Sequence, residues 1–363
     1  VKKVLYINDV IFASGSGEVT HTVGILNALE RAGVSITYLT FQCNKEILLN
    51  YGLSSNIHVL YKRGSFGGRL GRIIYFLKLT FISTRNFDYI YVRDSVFTFL
   101  LLPFVLLRTN NKLVIEYNGV REFEIKSLFL KVSNYLFSKL SRVVANRAHK
   151  NVAVASGIEF YLSDHRRIKN TTTINNGSNL SQDCQFSTQE VSTLAKVIVF
   201  VGNVATWQNF DLLIKLATEN SKFLMDHNVV FHIYGDGVDL VRLQQAVVDN
   251  KVEDIVVFKG KIANHKLPSI LSSCNAGLLI DKRFLNGLPL FSPLKLFEYN
   301  MFDVPSIHIS DSEVQALQES GYYIIGEDNF TEIINIFSRQ HKLSAFSRRW
   351  DDVAQDFLNK VFC

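Results

Sequence analysis

The chain writes one pattern twice, short apolar strands alternating with helical stretches, and that alternation limits the folds open to it. Val4–Ile7 reads as a strand, Asn8–Ser16 as a loop ending in Gly15-Ser16-Gly17, and helical periodicity runs from Val19 through Val23, Leu26 and Leu29 to a stop at Gly33. Further strands are expected at Ile36–Leu39, Ile57–Leu60, Tyr89–Val92, Leu113–Ile115, Val152–Val154 and Thr173–Ile174. The polar stretch Asn175–Ala195 reads as a linker. A second series follows, with strands at Val197–Val201, Val229–Tyr234, Ile255–Phe258, Gly277–Ile280, Ser306–Ile309 and Tyr322–Ile325 and helices between them. Strands separated by helices return parallel to one another, so each series predicts a parallel sheet covered on both faces. The fold expected is α/β, with two Rossmann-like domains whose parallel sheets face each other across a cleft. The boundaries are 1–180, 181–345, and a closing helix in 346–363 returning to the first domain. In such sheets ligands bind at the carboxyl ends of the strands.

Charge divides the same way. The whole chain carries +6, but residues 1–180 hold 23 Lys+Arg against 11 Asp+Glu, a net +12, while 181–363 are net −6. A basic half beside an acidic one points to an anionic surface or ligand on the basic side. Within it, Arg63, Arg69, Arg72, Lys78 and Arg85 alternate with Leu70, Ile73, Phe76, Leu77 and Phe81. This is either a basic amphipathic helix for an anionic membrane interface or a domain helix with a solvated face. The longest apolar run, Val96 to Leu107, is broken by Thr98 and Pro103 and falls well short of the roughly 20 residues that cross a bilayer. Cys43, Cys184, Cys274 and Cys363 show neither paired nor zinc-ligand spacing, which fits a reducing compartment. No signal-peptide pattern opens the sequence. The expected location is cytoplasmic, peripheral on the inner face of the cytoplasmic membrane.

The stretch from Ser292 to Ser306 carries the most chemistry. Ser292 suits a helix cap, Pro293 the first helical position, and Leu294, Phe297 and Met301 repeat at helical spacing. Free backbone N–H groups at such a start favour an anion, and Lys295 adds a charge in the first turn. Glu298, three residues on, shares its face and could accept bonds from two ribose hydroxyls. The plain alternative is a surface Lys295–Glu298 pair on a packing helix.

With the two-domain pattern, Ser292-Pro293-Leu294-Lys295…Glu298-Tyr299…Pro305 resembles the retaining glycosyltransferases of the GT-B fold, family four (group 1). Within them it resembles bacterial surface-polysaccharide enzymes with an S-P-x-K-x-x-E-Y signature. Gly15-Ser16-Gly17 falls at that family's glycine loop. Glu116-Tyr117-Asn118-Gly119 is similar to its E-x-N-G stretch, and Asn176-Gly177-Ser178-Asn179 to its N-G-x-D link. Phe200-Val201-Gly202-Asn203, Ile233-Tyr234-Gly235-Asp236-Gly237 and Phe258-Lys259-Gly260 match later landmarks in order.

The resemblance implies retaining transfer of a sugar from a UDP- or GDP-sugar to a glycan acceptor, lipid-linked on a polyprenyl diphosphate, in O-antigen, capsule or exopolysaccharide assembly. Nucleic acid is not an expected partner, and neither a metal nor a resident cofactor is expected. The implied donor residues are Gly15, Gly17, Gly202, Asn203, Gln208, Gly235, Ser292, Pro293, Leu294, Lys295 and Glu298. Asn203 and Gln208 stand where the family has an arginine and a lysine, which leaves Lys295 as the main cation, with Lys282 and Arg283 as substitutes. Leu290 replaces the first glutamate of the Glu-x7-Glu motif, and Asp303 a glycine. Glu116 and His21 are the candidate catalytic residues, Glu116 to orient or deprotonate an acceptor hydroxyl and His21 reaching the cleft from the first helix. Against these stand a solvent-facing strand-end glutamate and a packing histidine. Arg93 and Asp94 end a neighbouring strand, Trp207 either covers the donor loop or packs locally, and His232 reads as core. Two other functions remain open, a nucleotide-sugar epimerase of the same fold and a non-catalytic partner subunit.

Overall fold

The computed structural model of the chain describes residues 1–8, 17–40, 45–61, 86–94, 112–120, 139–178, 180, 195–310, 321–337, 341–343 and 347–363. Gly15, Asn179, the basic 63–85 segment, the 96–107 run, Cys43, Cys184 and most of the expected linker lie outside these residues.

The first sheet comprises β1 (Lys3–Ile7), β2 (Ser35–Thr40), β3 (His58–Tyr61), β4 (Tyr89–Arg93), β5 (Lys112–Tyr117), β6 (Lys150–Ala153) and β7 (Thr171–Thr173). Their spatial order is β3-β2-β1-β4-β5-β6-β7, and every pairing is parallel. Both faces are covered, which is why β1 is apolar at successive positions rather than alternate ones. Val4 and Tyr6 enter one core cluster, with Ile25, Leu26 and Leu29 of the first helix (Gly17–Arg31). Leu5 and Ile7 enter the opposite one, with Ile115, Val144 and Ile158.

The second sheet, β8 (Lys196–Val201), β9 (Val229–Tyr234), β10 (Val256–Gly260), β11 (Ala276–Leu279), β14 (Ser306–Ile309) and β15 (Tyr322–Ile325), repeats the same winding as β10-β9-β8-β11-β14-β15, again all parallel. The order reverses between β8 and β11, and the switch point opens a crevice at their carboxyl ends. Fold class and sheet parity therefore agree with the expectation from the strand–helix alternation.

The closing helix and a hairpin help to tie the sheets together. The closing helix, Trp350–Lys360, places Trp350, Val353, Ala354 and Phe357 in the core of the first sheet. It comes so close to the first helix that a Cβ on Gly24 would lie 2.3 Å from the Trp350 ring. The second connection is a two-stranded hairpin outside the expected strands, β12 (Phe284–Leu285) and β13 (Leu288–Pro289), turned by Asn286 and Gly287 with φ of 51° and 77°. Asn-Gly between apolar residues is a strong hairpin signal, because both turn residues need positive φ. Leu285 and Leu290 reach across into the first domain's core, and the carbonyls of Leu288 and Pro289 lie where a Cβ on Gly157 would be, 2.9 and 2.4 Å away. Leu290 is therefore an anchor in the opposite domain, which accounts physically for an apolar residue at that position.

Local details differ from the expectation in three places. The helix after Ser292 runs Leu294–Met301 with Pro293 as its N-cap in extended conformation, so Pro293 precedes the first helical position and Ser292 does not cap. His232 is half-buried rather than core, since β9 buries alternate residues and His232 falls on its more open face. Asp303 adopts φ 55° and its carboxylate accepts the Leu343 N–H at 2.6 Å, so an aspartate holds the left-handed turn after the helix.

Candidate functional site

On the second domain's side of the cleft, the Leu294–Met301 helix lies against the end of β8. Tyr299 anchors it, its hydroxyl donating to the Val199 and Leu278 carbonyls at 3.1 and 3.3 Å while its ring occupies the space a Cβ on Gly277 would need. This seating aims Lys295 at the glycine turn after β8. A Cβ on Gly202 would lie 2.8 Å from Lys295 Nζ, and the ammonium sits 4.7 Å from the centre of the Phe200 ring. Gly235 backs the same turn, where a Cβ would strike the Gly202 carbonyl at 1.8 Å. These glycines leave the backbone of two strand ends bare beneath a lysine, the shape that admits a phosphate.

Lys295 and Glu298 do not pair. Among the described residues neither makes a hydrogen bond or an ion pair, and both side chains are half-buried. Burial pulls the Lys295 ammonium below the ordinary lysine range, opposed by the charges of Glu298 and Asp281 and assisted by Arg283. Burial likewise pushes the Glu298 carboxyl up, with Lys295 opposing. Charges desolvated without a partner are poised for a ligand that supplies one.

The remaining donor candidates divide. Arg283 stands on the cleft rim, its guanidinium bonded to Asp281 at 2.8 and 2.5 Å and lying 5.9 Å from the centre of the Trp207 ring and 5.8 Å from that of Phe291. Trp207 thus flanks the loop while remaining largely exposed. Gln208 closes its own turn, accepting the Ala205 N–H at 3.1 Å, and bridges to Asp281. Asn203 and Lys282 are exposed. Gly17 opens the first helix opposite the donor turn, 3.8 Å from Leu294 measured from an ideal Cβ, so the first domain does approach there.

On the first domain's side, Glu116 is 1% exposed at the end of β5, which overturns the solvent-facing alternative. Its carboxylate accepts bonds from the Tyr91 hydroxyl and the Asn118 amide. His21, 5% exposed, holds Nε2 at 2.8 Å from Glu116 Oε1 and Nδ1 at 2.9 Å from Asn176 Oδ1, with the Trp350 ring edge-on at 5.2 Å. Asn176 in turn gives its backbone N–H to Ser292 Oγ at 3.2 Å and its side-chain amide to the Ser292 carbonyl at 2.8 Å. Glu116, His21, Asn176 and Ser292 therefore form one polar chain across the cleft. Beneath it Asn8 links Thr22 and Tyr38, at 3.0 and 2.7 Å. Arg93 reaches Glu18 at 3.4 Å, and the Asp94 backbone N–H bonds the Glu116 carbonyl. Groups of His, Cys, Asp and Glu suited to a metal ion are absent among the described residues.

Two parallel-sheet domains meeting over a phosphate-shaped turn define the GT-B class of glycosyltransferase folds. The Glycosyltransferase Family 4 model matches residues 15–182, and the Glycosyl transferases group 1 model matches 185–307. The chain belongs to the group 1 glycosyltransferases. Solved structures agree in fold. Alr3699/HepE from Anabaena, solved with UDP, superposes with a TM-score of 0.72 at 14% identity over 100% of each chain. The lipopolysaccharide outer core galactosyltransferase WaaB gives 0.72 at 14% over 99% of each. Sucrose-phosphate synthase from Thermosynechococcus elongatus gives 0.72 at 12%, over 99% of this chain and 98% of that one. No curated protein sequence matches the chain.

Proposed function

We propose that the protein is a retaining, metal-independent glycosyltransferase that moves a sugar from a UDP- or GDP-sugar to a lipid-linked glycan acceptor in surface-polysaccharide assembly. The observation that carries this reading is Lys295 over the bare Gly202 turn, with Glu298, unpaired among the described residues, one helical turn further on. Lys295 and the backbone of Ser292–Leu294 would hold the diphosphate, and Glu298 the ribose hydroxyls. Negative charge grows on the diphosphate as the glycosidic bond breaks, and a fixed ammonium at a helix start stabilises it without reorganising. Glu116 and His21 face the acceptor side, where they would orient its hydroxyl. HepE structures with UDP and with UDP-glucose share the fold and support a nucleotide-sugar donor. WaaB, named for the lipopolysaccharide outer core, supports a glycan acceptor.

The basic first half supports peripheral contact with an anionic cytoplasmic membrane, with the protein on its inner face. No helix among the described residues is long and apolar enough to cross a membrane.

Thermal denaturation against a panel of nucleotide sugars is expected to show stabilisation by at least one UDP- or GDP-sugar, and transfer from that donor should persist in EDTA. No shift with any donor would sink the reading. Interconversion of the donor without acceptor, followed by NMR, would replace it with epimerisation.

A further inference from the structure

We propose that Asn176 is a positioning residue that fixes the tautomer of His21 and ties it to the seating of the donor loop. The inference rests on the transferase reading for its consequence in catalysis, though its geometry stands independently. The Ser292 carbonyl can only accept, so the Asn176 atom 2.8 Å from it is the NH2 group. The amide oxygen is then the atom facing His21 Nδ1 at 2.9 Å, and an oxygen there requires a proton on Nδ1. His21 in its neutral form is thereby left with Nε2 as its proton-accepting atom. That atom is buried, stands 2.8 Å from Glu116 Oε1, and makes no aligned hydrogen bond among the described residues.

The Glu116 carboxylate is already held by the Tyr91 hydroxyl and the Asn118 amide, both of which are donors. In the neutral ring His21 Nε2 and Glu116 Oε1 are two acceptors 2.8 Å apart, a contact that calls for a proton. The pair is therefore disposed to take one from a hydroxyl brought to it, and the resulting imidazolium donates to both Asn176 and Glu116. A histidine in the other tautomer would point an N–H at Glu116 and satisfy it internally. Asn176 is what excludes that arrangement.

Its second link gives the arrangement its sense. Asn176 lies in the chain crossing between the domains. Gly177 has its Cβ position filled by the Arg349 and Trp350 backbone at 2.7–2.8 Å, and Ser178 bridges to Arg349. Both of Asn176's outward bonds go to Ser292, three residues before Lys295. Movement of the donor loop relative to the first domain thus acts on the group that holds the His21 ring.

Long-range proton–nitrogen correlation spectra of protein labelled at histidine nitrogens read the tautomer directly, with His21 assigned by loss of its signal in His21→Gln. At a pH where the ring is neutral, His21 is expected to carry its proton on Nδ1. Asn176→Ala should return it to the Nε2–H form and lower kcat by up to roughly a hundredfold, the scale of a small misplacement of a reacting group. Asn176→Asp keeps an oxygen for Nδ1, but its side chain cannot donate to the Ser292 carbonyl. It should keep the Nδ1 proton while raising KM for the nucleotide sugar, and it serves as the test if the alanine variant fails to fold. An Nε2–H ring in the unsubstituted protein, an unchanged ring in Asn176→Ala, or an unchanged donor KM in Asn176→Asp would overturn the proposal. The spectra need neither donor nor acceptor, so absent transfer would count against the proposed function while the tautomer decides this inference.

Discussion

The two walls of the cleft hold their charges in opposite ways. On the first domain's wall Glu116 is enclosed by Tyr91, Asn118 and His21, and His21 by Asn176 and Trp350. On the second wall Lys295 lies over the Phe200 ring, and among the described residues neither it nor Glu298 makes a hydrogen bond or ion pair. A buried polar network that is nearly complete specifies one arrangement, whereas buried charges left unmatched favour a partner from outside. The first wall is built to position, and the second to bind.

The largest expected effect tests the first wall. Glu116→Ala strands the Tyr91 hydroxyl and the Asn118 amide in a buried site, and should cost about 3 kcal/mol of stability in urea denaturation. Glu298→Ala removes a carboxylate of the same type and should cost nothing measurable. Equal losses would erase the distinction between the walls.

Next comes Lys295→Ala, expected to weaken nucleotide binding by about 1.5–3 kcal/mol in calorimetry, the range of a charge-assisted hydrogen bond, while leaving the melting temperature of the free protein nearly unchanged. Its size matters because Asn203 is exposed and Gln208 is engaged in its own turn, which concentrates the diphosphate on Lys295. A loss well under that range would make the helix a packing element. Glu298→Gln follows. It should weaken binding by about 1 kcal/mol, and relief of a desolvated carboxylate should raise stability by up to about 1 kcal/mol.

Much of the second wall was legible because its parts are local. Ser292-Pro293-Leu294-Lys295 and Glu298 lie within seven residues, and the glycine landmarks each mark one strand end, so order along the chain carried their meaning. The sheets were legible too, since strands covered on both faces, such as β1 and β11, are apolar at successive positions. The first wall was not. His21 and Asn176 are 155 residues apart, and an asparagine in a polar stretch has no periodicity to announce a partner. Leu290 looked like a missing carboxylate until the hairpin placed it in the other domain's core, although Asn286-Gly287 signalled that turn. Pro293 sits one position before the helix rather than at its first residue, because sequence shows the break but not which side of it the extended residue takes.

The smallest expected effect separates a ligand-seeking lysine from a buried packing lysine by pH. In the free protein, burial holds the Lys295 ammonium below the usual lysine value, so the site begins to lose its charge earlier on the alkaline side than an exposed lysine would. A bound diphosphate favours the protonated form and raises that value again. Binding therefore takes up a proton in the window between the two, and affinity falls as pH rises through it, by no more than about tenfold per unit and by much less near neutrality. The onset should lie below the ordinary lysine range. Lys295→Arg keeps its charge throughout, so its profile should be flat across the same window, whatever its absolute affinity. A wild-type profile as flat as that of the arginine variant would mean that the lysine titrates independently of the ligand. The second wall would then hold its charge for packing, as the first does.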